Sequence, residues 1–167
     1  MRTHKCDADF RSRLGESAPG PPVPAVNDTA IRTEHAYFDH DADVGVVGRG
    51  ARVEDALVAA ARAVFAITTR IEQVKPIVPV EIAFEEADPE FALVTWLNQL
   101  IAHSQERGLA LGEFTLAREG DAWIGEAWGE PWREGLERGT DVKGATLTML
   151  SVKPVPGGWE ARCVVDV

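Results

Sequence analysis

The spacing of apolar positions divides this chain into helical and extended stretches. From Val53 the apolar residues fall at Val53, Leu57, Ala60, Val64 and Ile67, three or four apart, which lines one face of a helix. The alanines between them carry the highest helix propensity, so this spacing predicts an amphipathic helix ending near Thr69. Val78 to Phe84 instead alternates by two and predicts a strand. Pro79, which has no N–H to give a ladder, confines that strand to a sheet edge or to a strand start. Asp88-Pro89-Glu90 then supplies an N-cap candidate, a proline at the first helical position and an acid in the first turn. The helix that follows carries Phe91, Leu93, Val94, Trp96, Leu97, Leu100 and Ile101. It is apolar on almost every face, which predicts a central helix buried on more than one side, stopped near Arg107 by Gly108.

The rest of the chain reads as extended. His35-Ala36-Tyr37-Phe38 predicts a short strand running into the acidic turn Asp39-His40-Asp41-Ala42-Asp43, after which Val44-Gly45-Val46-Val47-Gly48 resumes a partly buried run. Beyond Gly108 a period of two governs residues 113–118, 122–128, 142–153 and 159–165. Glu119-Gly120-Asp121 and Pro156-Gly157-Gly158 punctuate these runs and predict antiparallel hairpins. The connection from Gly129 to Thr140 holds Pro131 and three glycines and reads as a surface loop of the kind that often carries function. Helices grouped early and strands grouped late predict an α+β fold, two helices packed on a mainly antiparallel sheet. Residues 1–33, with Ala18-Pro19-Gly20-Pro21-Pro22-Val23-Pro24, show no sustained apolar period and read as a disordered tail. The predicted domain is 34–167.

Charge narrows the function classes. Twenty-seven Asp and Glu stand against seventeen Lys and Arg, a formal net charge of −10, with no basic cluster to interrupt the excess. Such a surface repels phosphate backbones, so direct nucleic-acid binding is not expected and any role in RNA metabolism runs through a protein partner or a metal. The two cysteines, Cys6 and Cys163, match neither zinc spacing nor a disulfide framework. No stretch approaches the length of a membrane span and no signal-peptide run is present, so the cytoplasm is the expected location.

Candidate chemistry gathers at the two ends of the predicted domain. The acidic turn sets Asp39, Asp41 and Asp43 at alternate positions, which in an extended segment share one face and ask for a cation. All-oxygen ligands favour Ca²⁺, Mg²⁺ or Mn²⁺. An EF-hand is excluded, because Val44 stands where its turn needs glycine and Gly50 where its closing acid belongs. The bland alternative is a solvated turn. At the other end Arg162-Cys163-Val164-Val165-Asp166-Val167 ends on a penultimate acid, which brings the Asp166 carboxylate close to the α-carboxylate of Val167. If that strand lies beside the Val44 strand, Asp43 completes an oxygen site; otherwise Asp166 is a solvated strand end. Trp123 and Trp128 read as core aromatics and Trp132 as a candidate partner contact. Lys143 reads as a surface base able to meet a carboxylate or a partner's phosphate. No Ser, His and Asp spacing argues for a catalytic triad, so no catalytic residue is assigned.

Several of these pieces together resemble the archease family over residues 35–167. The resemblance is carried by Tyr37-Phe38-Asp39-His40-Asp41-Ala42-Asp43-Val44-Gly45, Val53-Glu54-Asp55-Ala56, Trp96-Leu97-Asn98-Gln99-Leu100, Ala127-Trp128-Gly129-Glu130-Pro131, Thr140-Asp141-Val142-Lys143-Gly144-Ala145-Thr146 and Val165-Asp166-Val167, in family order. It implies an archease-like α+β fold and a protein cofactor, not an enzyme, that promotes guanylylation and repeated turnover of an RtcB-type RNA ligase in tRNA splicing and RNA repair. It also implies a metal site at Asp43, Asp166 and Val167, with Ca²⁺ as the family's usual ion. Two departures from the family pattern stand out: Asp41 stands where a threonine is usual, and Leu147-Thr148 where a Tyr-His pair is frequent. A chaperone-like modulator of a tRNA-modifying enzyme such as a methyltransferase is the alternative function, and a two-metal hydrolase a more distant third.

Overall fold

Short side chains set how the first helix meets its sheet. In the computed structural model, which describes residues 34–40 and 43–167, β1 (Glu34–His40) pairs antiparallel with β2 (Asp43–Gly50), and α1 (Val53–Thr68) packs back on them. The buried stripe of α1 includes Ala56, Ala59, Ala60 and Ala63. A Cβ added at Gly48 would stand 2.2 Å from the Ala56 carbonyl oxygen. The helix backbone therefore lies directly on β2, a contact that only glycine facing alanine permits. At its start the Asp55 carboxylate accepts from the Arg52 backbone N–H at 3.1 Å, satisfying a donor that the first helical turn leaves free.

After a 3₁₀ turn at Ile71–Gln73 come β3 (Val78–Glu85), α2 (Pro89–Arg107), β4 (Leu109–Glu119) and β5 (Ala122–Pro131). The predicted cap is present: the Asp88 side chain accepts from the Glu90 N–H at 2.9 Å, and Gly108 ends α2 in the left-handed region at φ 61°. β3, β5 and β4 form a three-stranded antiparallel sheet in that order, so the Pro79 strand is an edge, as its missing N–H requires.

The last strands return to the first sheet. β6 (Gly144–Ala145), β7 (Ser151–Val155) and β8 (Gly158–Asp166) join it so that β8 lies inside, with β2 along one side and β6 and β7 along the other. The observed α+β fold thus has two antiparallel sheets rather than one. α1 packs against β2 and β8 of the larger sheet and β4 of the smaller, and one core unites both.

Two expectations are corrected. α2 is not buried on several sides: Ala92, Leu93, Trp96, Leu97, Leu100 and Ile101 form a single buried stripe, while Phe91 stands 48% exposed. The predicted strand over 142–153 is also broken. Residues 146–150 leave the sheet between β6 and β7, and Met149 takes a positive φ of 52°. The expected tail, residues 1–33, lies outside the described residues.

Cys163 lies on the inner face of β8, fully buried, and burial pushes its thiol from an ordinary 9.0 up to about 12. The folded state thus holds a proton that the unfolded chain gives up near pH 9, so this group's contribution to stability is complete below pH 9 and is lost as pH rises toward about 12. At pH 8 we expect a thiol-specific disulfide reagent to modify Cys163 only at the rate of unfolding. Immediate modification of the native protein, followed by mass spectrometry of the Cys163 peptide, would contradict its burial.

Candidate functional site

Strand pairing decides which of the candidate residues meet. Val44 on β2 faces Val165 on β8, Gly45 faces Val164 and Val46 faces Cys163. Continued by one residue, this register sets Asp43, the first residue of β2, beside Asp166, the last of β8. Directly opposed residues of an antiparallel pair project to the same face. Val46, Ala161, Cys163 and Val165 turn inward to the core, so alternation turns Asp43 and Asp166 to the other face, away from α1. The condition set by the sequence, the last strand beside the Val44 strand, is met.

The acidic turn itself differs from expectation. The chain reverses between His40 and Asp43, with Asp39 opposite Val44 and His40 opposite Asp43. Asp39 and Asp43 therefore lie on two paired strands rather than along one extended segment. Asp41 itself lies outside the described residues.

The end of β8 is held from several directions. The Asp166 carbonyl accepts from the Lys143 N–H at 2.8 Å, and Gly144 pairs with Asp166. β6 is in turn pinned by α2: the Asn98 amide accepts from the Ala145 N–H at 2.8 Å and donates to its carbonyl at 3.2 Å. The Gln105 amide donates to the Val142 carbonyl at 3.0 Å. Val167 is half-buried and packs against the main core, while the Asp166 side chain is exposed. An exposed carboxylate is thereby mounted on a tethered backbone. This arrangement also accounts for two motifs distant in sequence, since the Asn98 helix and the 142–146 segment meet at that one tether. Sequence reasoning gave Asn98 no role of its own; its signals were its polarity amid an apolar helix and its place in the motif Trp96-Leu97-Asn98-Gln99-Leu100.

On the same face the Phe38 ring lies over Gly45, where an added Cβ would overlap it, and the Arg162 guanidinium stands 5.2 Å from the Phe38 ring centroid. The departures at 147 and 148 are also placed. Leu147 is 63% exposed, and Thr148 holds the sheet through its backbone carbonyl, which accepts from the Val164 N–H at 3.2 Å. Neither side chain is needed for that link.

The aromatic expectations divide. Trp123 is fully buried and Trp128 half-buried. Trp132 is half-buried too, packed against a small cluster of Val74, Ala110 and Leu136, with the Arg138 guanidinium 4.2 Å from its ring centroid. Among the described residues no group of three or more His, Cys, Asp or Glu side chains gathers as metal ligands. Among the described residues, the side-chain carboxylates at the β2–β8 end are those of Asp43 and Asp166.

Replacing Asn98 with alanine removes both bonds to Ala145, at a cost of about 1–3 kcal/mol. We expect amide exchange at Ala145 and at Lys143 to accelerate while the Val46 amide keeps its protection. Unchanged exchange at Ala145 would show that β6 holds without α2.

This geometry can be set beside known proteins. The profile of the Archease protein family (MTH1598/TM1083) matches residues 35–167. The chain belongs to the archease family. It is 32% identical over 137 residues to Protein archease of Aeropyrum pernix, covering 78% of this chain and 95% of that relative. With Protein archease of Sulfolobus acidocaldarius it shares 32% identity over 138 residues, or 81% and 99% of the two chains. The solution structure of Methanobacterium thermoautotrophicum protein 1598 superposes with a TM-score of 0.67 at 27% identity, covering 80% of this chain and 98% of that one. The two helices and antiparallel sheets are thus the archease fold, and membership in the family supports a protein-cofactor role in tRNA processing. No described helix is long and apolar enough to cross a membrane.

Proposed function

We propose that this chain is a non-catalytic, metal-binding activator of an RtcB-type RNA ligase, promoting the ligase's GTP-dependent guanylylation and its repeated turnover. The observation that carries the reading is the pairing of Val44 with Val165, whose register, continued by one residue, supports Asp43 and Asp166 as neighbours on one face of the sheet. The donor set fits a hard divalent cation, Ca²⁺ first and Mg²⁺ or Mn²⁺ next, because every donor is an anionic oxygen. Asp43 and Asp166 would supply two oxygens, and Val167, the third site residue that the resemblance implies, would complete the set. A bound cation supplies positive charge to a surface that otherwise repels phosphate.

The chain's own residues do the rest. Lys143, Gly144 and Asn98 fix the height of β8, Val167 anchors it in the core, and Phe38 covers the sheet beside the carboxylates. The ion so held would be offered to the ligase in one geometry. The net charge of −10 agrees with a protein that meets its partner ligase rather than RNA.

Single-turnover guanylylation of the purified ligase, with and without the chain, tests this. We expect an acceleration of about tenfold or more, abolished in the double variant Asp43→Ala, Asp166→Ala. Absence of any acceleration, or full acceleration by the double variant, refutes the proposal.

A further inference from the structure

Away from the carboxylate pair, a cavity of about 480 Å³ opens between the C-terminal ends of α1 and α2 and the segment 132–143. That volume is of the size that takes a small organic molecule. Val64, Phe65, Ile101 and Val142 give it an apolar floor, and Trp132, Arg138, Asp141 and Lys143 stand around it. The flat Arg138 guanidinium is already stacked on the Trp132 ring at 4.2 Å, and its other face is a platform on which a further planar ring can lie.

Charge sharpens the choice. The nearby Arg133 is taken by Glu130 and Arg70 by Glu137. Arg138 and Lys143, by contrast, enter no ion pair among the described residues, and neither does Asp141. In a chain with ten excess acids, two uncommitted cations facing one cavity invert the local sign and select an anion. Asp141 adds an acceptor for ring N–H groups. Gln105, whose amide N–H is spent on the Val142 carbonyl, keeps its carbonyl oxygen as another.

We propose that this cavity binds a nucleoside monophosphate, the ring stacked on Arg138 and the phosphate facing Lys143, with Asp141 and Gln105 accepting from the base. The acidic surroundings favour a free mononucleotide over a strand, whose additional phosphates they would repel. The site uses the Lys143 side chain, while the Lys143 backbone N–H tethers Asp166, and it needs neither ion nor ligase.

The test uses the full ¹⁵N-labelled chain, without divalent ions or ligase. Its five tryptophans give five indole N–H signals, and the one missing from Trp132→Phe reports on the cavity. Titration with the four nucleoside 5′-monophosphates should shift that signal saturably for at least one of them. Inorganic phosphate alone and the matching nucleoside alone should each bind at least about tenfold more weakly. The double variant Arg138→Ala, Lys143→Ala should weaken binding about tenfold or more with an unchanged melting temperature. The proposal is overturned if none of the four binds, if the double variant binds as wild type does, or if inorganic phosphate binds as tightly. A tetraribonucleotide binding more tightly than any monomer would overturn the choice of a free nucleotide. Each of these failures leaves the ligase reading standing, since ligase activation is measured separately.

Discussion

Asp166→Asn should stabilise the protein in metal-free buffer and leave it less stable than wild type once Ca²⁺ is added. The sign reversal follows from the register that sets Asp43 beside Asp166. Without a cation, two carboxylates opposed across a strand pair repel each other, and neutralising one relieves about 0.2–1 kcal/mol. With a cation, the proposal makes both charges ligands. Wild type then gains about 2.7 kcal/mol of stability at a Ca²⁺ concentration a hundredfold above its dissociation constant. Losing one anionic donor should weaken the site about a hundredfold, which removes most of that gain. Calorimetric titration gives the affinity and thermal melts with EDTA or Ca²⁺ give the two stabilities. A merely solvated strand end would show the first effect without the second, so absence of any Ca²⁺-dependent rise in wild-type melting temperature sinks the metal site.

The second large effect concerns the core. Trp96→Ala should cost about 3–5 kcal/mol and lower the melting temperature by about 10–20 °C. Trp96 is fully buried, its indole N–H donates to the Leu57 carbonyl at 3.2 Å, and its ring lies where a Cβ on Gly125 would stand 2.5 Å away. One side chain therefore joins α2, α1 and β5, and its loss leaves a void bounded by all three. Gly125→Ala attacks the same contact from the opposite side by overpacking, at about 1–3 kcal/mol. Combining the two should cost less than the sum, because the new methyl partly fills the void. Strict additivity would mean that ring and glycine are not in contact.

Local chemistry made the helices legible. Asp88, Pro89 and Gly108 announce the limits of α2, and the three- and four-residue spacing after Val53 announces α1. Composition alone could not show which faces of α2 are covered, because Phe91 is apolar yet half exposed. The break at 146–150 was hidden for another reason. It is held by long-range bonds, from Thr146 Oγ1 and N–H to the Val164 carbonyl and from the Val164 N–H to the Thr148 carbonyl, which leave no period in the sequence. As for the site, a penultimate acid and an acidic turn could be named from sequence, but their meeting depends on β2 choosing β8 as neighbour. The sequence could state that adjacency only as a condition, and the β2–β8 register meets it. The cavity beside Trp132 was not foreseen, since its walls come from the ends of α1 and α2 and the distant segment 132–143.

The placement of β8 inside the larger sheet has a consequence for biosynthesis. β2 is translated early but finds its inner neighbour only when β8, more than a hundred residues later, has left the ribosome. Until then β2 presents an unpaired hydrogen-bonding edge, and nascent chains halted before residue 158 should be dependent on chaperones and quickly degraded. Completion of the larger sheet therefore waits for the same strand that carries Asp166.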